Sequence, residues 1–298
     1  SRALSDFEIA SLNVSSLPNP VTHWKLDGNA NDSIGTYNGT PVEFDSDSDD
    51  EWNSLGYIDG AVELDGDEYI QMNEYYGVGG TLARTSCAWI KLNGSGFNIL
   101  SYGGNASQGN WLFIVNDYKQ LKLGVNSGNI ISNSTLTVGR WHHVAAVLDD
   151  WDNDGLKVND LRLYIDGVKA PGTYTNSNAT IDTGKGDITF PVRIGTHPSL
   201  NTGTMFQGLI DDVRLYNCAL SASEIRVVAG NRLRGHWKLD GGPNDSSGCN
   251  HNGTLTNMDP SPSWMPGMNG TALDFDGLND YIQIPYVLDP ADGPFSAF

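Results

Sequence analysis

Cysteine is scarce in this chain of 298 residues: only Cys87, Cys218 and Cys249 occur. An odd number without metal-ligand spacing argues against a disulfide framework and reads as three small hydrophobes. Basic residues are also few, 17 Lys and Arg against 36 Asp and Glu, for a formal charge of -19. Without clustered cations to displace counterions from phosphates, nucleic acid is excluded as a partner. No apolar run approaches the roughly 20 residues that cross a bilayer, so no membrane insertion is expected of this segment. The six histidines, His23, His142, His143, His197, His236 and His251, show no metal-ligand spacing such as His-x-x-x-His. Neither a Gly-rich phosphate loop nor a Ser/His/Asp triad can be read from spacing.

What is present is acid, amide, glycine and hydroxyl. A surplus of carboxylates suits a hard cation that takes oxygen ligands, and the Gly, Asn, Ser, Thr and Asp content suits turns. Most periodic segments alternate with period two. Leu121, Leu123 and Val125 alternate with Lys122 and Gly124, and Leu161, Leu163 and Ile165 with Arg162 and Tyr164. Such strands bury one face and wet the other. Turn signals separate them at Asn93-Gly94, Asp166-Gly167 and Asn201-Thr202-Gly203. Helices are expected only after two Ser-x-x-Glu capping boxes, Ser5 to Glu8 and Ser221 to Glu224. The expected fold is all-β: a two-sheet antiparallel jelly-roll sandwich with one short C-terminal helix per repeat.

The chain also writes one stretch twice. His23-Trp24-Lys25-Leu26-Asp27-Gly28 returns as His236-Trp237-Lys238-Leu239-Asp240-Gly241, and Asn31-Asp32-Ser33 as Asn244-Asp245-Ser246. Trp52 returns as Trp264, and Tyr69-Ile70-Gln71 as Tyr281-Ile282-Gln283, at a near-constant offset. That is an internal duplication. Residues 1–14 are expected to be the tail of a preceding repeat, 22–231 a complete domain, and 233–298 the opening part of the next. With no initiator Met, the sequence reads as a window from a longer tandem array.

Several strands resemble a known family. Gly139-Arg140-Trp141-His142-His143-Val144-Ala145 is similar to the Trp-x-His-Val-Ala strand of concanavalin A-like, laminin G-like domains. Leu163-Tyr164-Ile165-Asp166-Gly167 resembles the hairpin that follows it there. Phe206 to Asn217 with Ala219-Leu220-Ser221 resembles the closing strand and helix. The resemblance implies a structural Ca²⁺ between the opening loop and the closing strand, at Asp27, Asp32 and Asp211. Against it stands the reading of Asp27-Gly28 and Asn31-Asp32-Ser33 as turn formers that bond their own backbone. The resemblance also implies an extracellular or cell-surface location. It says little about activity, because the fold hosts lectins, adhesins and glycanases.

Three further constellations could carry chemistry. Asp150-Trp151-Asp152-Asn153-Asp154-Gly155 satisfies the first half of an EF-hand loop, but position twelve is Leu161 rather than Glu. Asp150, Asp152 and Asp154 therefore form either a helix-free second metal loop or a solvated hairpin tip. Glu63-Leu64-Asp65-Gly66-Asp67-Glu68 formally matches the Glu-x-Asp-x-x-Glu motif of glycanases on this sandwich. A retaining pair needs carboxyls roughly 5–5.5 Å apart. Gly66-Asp67 breaks the strand, and the duplicate Asp274 to Asp280 loses both Glu residues, so a turn with solvent-facing acids is expected. For glycan contact the candidates are Tyr102, Trp111 and Trp151, beside the loop residues Asn105, Gln108, Asn110 and Asp152, because a pyranose stacks its apolar face on a ring. The expected function is non-catalytic binding or adhesion, stabilised by Ca²⁺, to polysaccharide or a cell-surface glycan or protein. The alternatives are a structural spacer and a glycoside hydrolase.

Overall fold

The computed structural model describes residues 17–44, 51–94, 97–104, 109–125, 128–184, 190–198, 200, 202–230, 237–245, 252–258, 262–268 and 270–284. The helix expected at Ser5 to Glu8 and the loop residues Asn105 and Gln108 lie outside them. The chain divides into two units, Ser1–Gly230 and Asn231–Phe298.

The first unit is two stacked antiparallel sheets. Its strands are β1 (Thr22–Trp24), β2 (Gly39–Val42), β3 (Trp52–Ile58), β4 (Gly60–Leu64), β5 (Tyr69–Met72), β6 (Arg84–Leu92), β7 (Asn98–Gly103) and β8 (Asn110–Val115). They continue as β9 (Gln120–Val125), β10 (Gly128–Thr135), β11 (Trp141–Leu148), β12 (Leu161–Ile165), β13 (Val168–Ala170), β14 (Gly172–Thr175), β15 (Phe190–Ile194) and β16 (Gly208–Tyr216). The first sheet runs β13-β12-β11-β6-β16-β4-β3, with β1 also paired to β16; the second runs β14-β10-β9-β8-β7-β15-β5-β2.

Alternation decides what lies between them. Ala88, Ile90 and Leu92 of β6 and Val144 and Ala146 of β11 point inward, against Ile70, Phe113, Leu121, Leu123 and Ile130 of the second sheet. Residues of opposite parity on the same strands, Cys87, Ala145 and Val147, face outward. Leu220 and helix α1 (Ala222–Val228), through Ile225 and Val228, cover them. Its capping box forms as the spacing predicts: the Glu224 N–H donates to Ser221 Oγ, and the Ser221 N–H donates to Glu224 Oε2 at 2.7 Å. The turn between β12 and β13 has Asp166 at φ 51 and Gly167 at φ 76. Two successive positive φ values make the tight hairpin turn that matches strand twist, which is why Asp-Gly stands there.

The second unit is described by β17 (Thr254–Thr256), β18 (Ser263–Pro266), β19 (Thr271–Asp274) and β20 (Tyr281–Gln283), as the pairs β17 with β20 and β18 with β19. It repeats local devices of the first. Leu26 and Leu239 both take a left-handed conformation, at φ 64 and 58. Trp24 bridges Asp32 as Trp237 bridges Asp245. The N–H of Asp32 donates to Asn38 Oδ1, and that of Asp245 to Asn252 Oδ1, each at 2.9 Å. A left-handed leucine is rare because its Cβ crowds the backbone, so its recurrence shows the duplicated sequence building the same turn twice.

Candidate functional site

Behind Leu26, the left-handed turn delivers Asp27 to the end of the β3–β4 hairpin. Asp27 Oδ1 accepts from the Gly60 N–H at 2.9 Å. Asp211, on β16, accepts from the Ile58 N–H through Oδ2 at 2.8 Å, while its Oδ1 is sealed from solvent without a partner. Burial pushes the Asp211 carboxyl up to about 8, and the neighbouring charges of Asp212 and Asp27 add to the rise. A bulge follows: the β16–β6 register shifts between Asp211 and Arg214, with Asp212 at φ 54. The second acid of the pair is thereby turned toward His23 Nε2, with Arg214 Nη2 2.7 Å from it. Burial alone would raise Asp212, but the His23 hydrogen bond and the Arg214 charge hold it below the ordinary carboxylate range.

Asp27 and Asp211 fit a cation. Each carboxylate gives an oxygen to a backbone N–H, and the buried, unpartnered Oδ1 of Asp211, in the field of Asp27, is what a hard cation would relieve. Asp32 is engaged differently. Its Oδ1 accepts from the His23 N–H at 3.0 Å and the Ile34 N–H at 3.3 Å, and its Oδ2 from the Tyr37 N–H at 3.3 Å. Asp32 thus clamps its own loop through three backbone donors, which uses most of its acceptor capacity.

In the β11–β12 connection the acids do converge. Asp150, Asp152, Asp154 and Asp160 each place an oxygen within 4.8 Å of the others. Asp160 is buried, ends the short turn Val158–Asp160 and accepts from the Lys157 N–H at its start at 2.8 Å. Burial and the charges of Asp152 and Asp150 raise its pKa, against that backbone hydrogen bond. Lys157 Nζ pairs with Asp154, so one acid of the four is already neutralised. Over this loop stands Trp151, 46% exposed. Its Nε1 donates to the Asp160 carbonyl at 3.1 Å, and the Arg162 guanidinium lies 5.4 Å from its ring centre. The indole is held by its Nε1 hydrogen bond and by the guanidinium over its ring, and almost half of it stays exposed.

The other two glycan candidates are corrected. Tyr102 and Trp111 are both 0% exposed. They pair across β7 and β8 with ring centres 6.2 Å apart, and Trp111 Nε1 donates to Ser86 Oγ at 2.9 Å. Their rings belong to the core between the sheets and cannot stack on a sugar. Asn110, beside them, is buried too.

The Glu-x-Asp-x-x-Glu stretch is the crossing from one sheet to the other. β4 ends at Leu64 and β5 begins at Tyr69. Glu63 is on the outer face of the first sheet, where Asn53 Nδ2 and Asn93 Nδ2 each donate to it at 3.0 Å. Glu68 is buried rather than solvent-facing, because its Oε2 accepts from the Asp65 N–H at 3.0 Å and closes the turn. Burial raises its pKa. Glu68 gathers with Asp65 and Asp67; among the described residues Glu63 is not part of that group.

No curated protein matches the sequence. Among solved structures, the chain is similar to domain 4 of AbnA, a GH43 extracellular arabinanase from Geobacillus stearothermophilus, solved with arabinotriose. The TM-score is 0.54 at 19% identity, covering 72% of this chain and 100% of that one. A second similar structure is the CBM40 of the Ruminococcus gnavus IT-sialidase bound to α2,3-sialyllactose, at a TM-score of 0.44 and 13% identity, covering 57% and 96%. Residues 64–226, more than half of the sequence, match the laminin G-type family model described as the concanavalin A-like lectin/glucanases superfamily. With two stacked antiparallel sheets and the closing helix in place, the chain belongs to the concanavalin A-like lectin/glucanase superfamily.

Proposed function

We propose that the chain is a non-catalytic carbohydrate-binding or adhesion module from a tandem array in a secreted or cell-surface protein. The observation that carries this reading is Trp151. An exposed ring, fixed by a hydrogen bond and a stacked guanidinium, offers a sugar an apolar face at low entropic cost. The carboxylates of Asp150 and Asp152 beside it are acceptors for hydroxyl groups. The arabinotriose held by the similar arabinanase domain supports the same reading. Hydrolysis is disfavoured because the Glu63 carboxylate is engaged by two amides and Glu68 by its own turn. Ca²⁺ would sit at Asp27 and Asp211, neutralising acids from the opening loop and the closing strand. The alternative use of the same carboxylates is a second metal loop of Asp150, Asp152, Asp154 and Asp160, which needs Lys157 displaced.

Trp151→Ala is expected to weaken glycan binding by about tenfold or more. Because that side chain is half exposed, the unfolding temperature should stay within about 2 °C of the parent. Affinity electrophoresis in polysaccharide-loaded gels, run beside a thermal melt, checks both. Unchanged retention would remove Trp151 from the site.

A further inference from the structure

The outer face of the second sheet carries a cation, Arg193, that has no counterion among the described residues. Arg193 lies on β15 between Val192 and Ile194, which point into the core, so its own side chain points outward. It is nevertheless 8% exposed. The rings of Tyr69 and Phe190 flank it, 5.8 and 6.0 Å from the guanidinium carbon. Its Nε donates to Gln71 Oε1 at 3.0 Å and its Nη1 to the Pro198 carbonyl at 2.5 Å. Nη2 has no partner among the described residues, and Arg193 forms no ion pair among them.

Arg84, buried, and Arg214, partly buried, show what satisfaction looks like here. Arg84 directs Nε, Nη1 and Nη2 to the carbonyls of Leu82, Val78 and Gly80. Arg214 pairs with Asp212. Among the described residues Arg193 has neither a third acceptor nor a carboxylate. Burial lowers its pKa, and its charge adds to the burial that lowers the pKa of His197 beside it. A buried, unneutralised guanidinium is costly unless something pairs with it. The donors it leaves open, Nη2 and the second hydrogen of Nη1, are those a carboxylate engages as a fork.

Resting on the glycan-binding reading above, we propose that Arg193 is the anchor of a second sugar subsite, which takes the carboxylate of an acidic monosaccharide unit. Gln71 orients the guanidinium, and Phe190, half-buried, offers an apolar edge to the sugar ring. The net charge of -19 repels a polyanion at distances up to the Debye length of about 8–10 Å. The ligand is therefore a single acidic unit on an otherwise neutral glycan, not a polyuronate.

Calorimetric titration of the whole chain tests this with two matched pairs: methyl β-D-glucuronide against methyl β-D-glucoside, and 3′-sialyllactose against lactose. One acid should bind at least about tenfold more tightly than its neutral partner, and which pair shows the gain separates a uronic from a sialic ligand. Arg193→Gln should erase that gain and leave the neutral sugar's affinity unchanged; Arg193→Lys should restore part of it. Should the Gln variant fail to fold, the methyl ester of the preferred acid on the parent protein removes the same interaction from the ligand side. Equal binding of acid and ester, with neutral glycans still bound, overturns the Arg193 subsite and leaves the general reading standing. No binding of any sugar overturns both.

Discussion

Calcium is expected to raise the unfolding temperature of this chain by about 5 °C or more at pH 8, and Asp211→Asn to abolish the response. The size follows from mass action: a ligand at a hundred times its Kd stabilises by about 2.7 kcal/mol, and each kcal/mol moves the midpoint of a domain this size by about 2–4 °C. The sign follows from Asp211. Burial, then the charges of Asp212 and Asp27, push its folded pKa up to about 8, while the Ile58 N–H opposes them. In the unfolded chain the carboxyl returns to about 3.9. The metal-free native state therefore holds an extra proton between those values. Its stability is intact below about pH 4 and is lost as pH rises toward 8. Calcium takes the place of that proton, so its benefit grows across the same window and is small at pH 5. In EDTA, Asp211→Asn should flatten the pH dependence and be at least as stable as the parent at pH 8. Thermal melts at pH 5 and pH 8, with calcium and with EDTA, decide it. A parent chain indifferent to calcium at pH 8, or an Asn variant that still responds, would refute the site.

Trp111→Ala is expected to cost about 3–5 kcal/mol, a fall of about 10 °C in the midpoint. The indole is fully buried, and its Nε1 reaches across the sandwich to Ser86 Oγ, tying β8 to β6. The Arg84 guanidinium lies 5.3 Å from its ring centre. Removing it opens a cavity and strands the Ser86 hydroxyl. Glycan affinity per folded molecule should be unchanged, because no atom of Trp111 meets solvent. Melting curves and binding isotherms below the transition measure the two effects separately. Lost affinity at full folding would return the residue to the binding surface.

Trp111 also shows where the sequence stops being legible. Trp111-Leu112-Phe113-Ile114-Val115 is apolar without a break, so parity alone cannot say which side faces inward; only the β7 and β9 neighbours decide that Trp111, Phe113 and Val115 do. Trp151 was readable because Asp150 and Asp152 enclose it in a turn no core could hold. Asp160 was not: Leu156 and Val158 intervene, and it joins the acids only because a short turn folds it back. Family resemblance alone groups Asp27, Asp32 and Asp211; that Asp32 also holds three backbone donors of its own loop is visible only in coordinates. Asp211-Asp212 broke the alternation of β16, a visible sign of the bulge. Arg193 reads as an ordinary polar position on an alternating strand. Its missing counterion depends on what β15 lies beside, which no local pattern encodes.

Glycan binding without turnover is the central claim, and a glycan array probed with the labelled chain in calcium-containing buffer at neutral pH tests it most directly. The expected result is saturable binding to a discrete set of glycans whose immobilised chains are recovered at full length. Uniform absence of signal, as a spacer would give, or loss of terminal sugars from the bound spots, as a glycosidase would give, would contradict it.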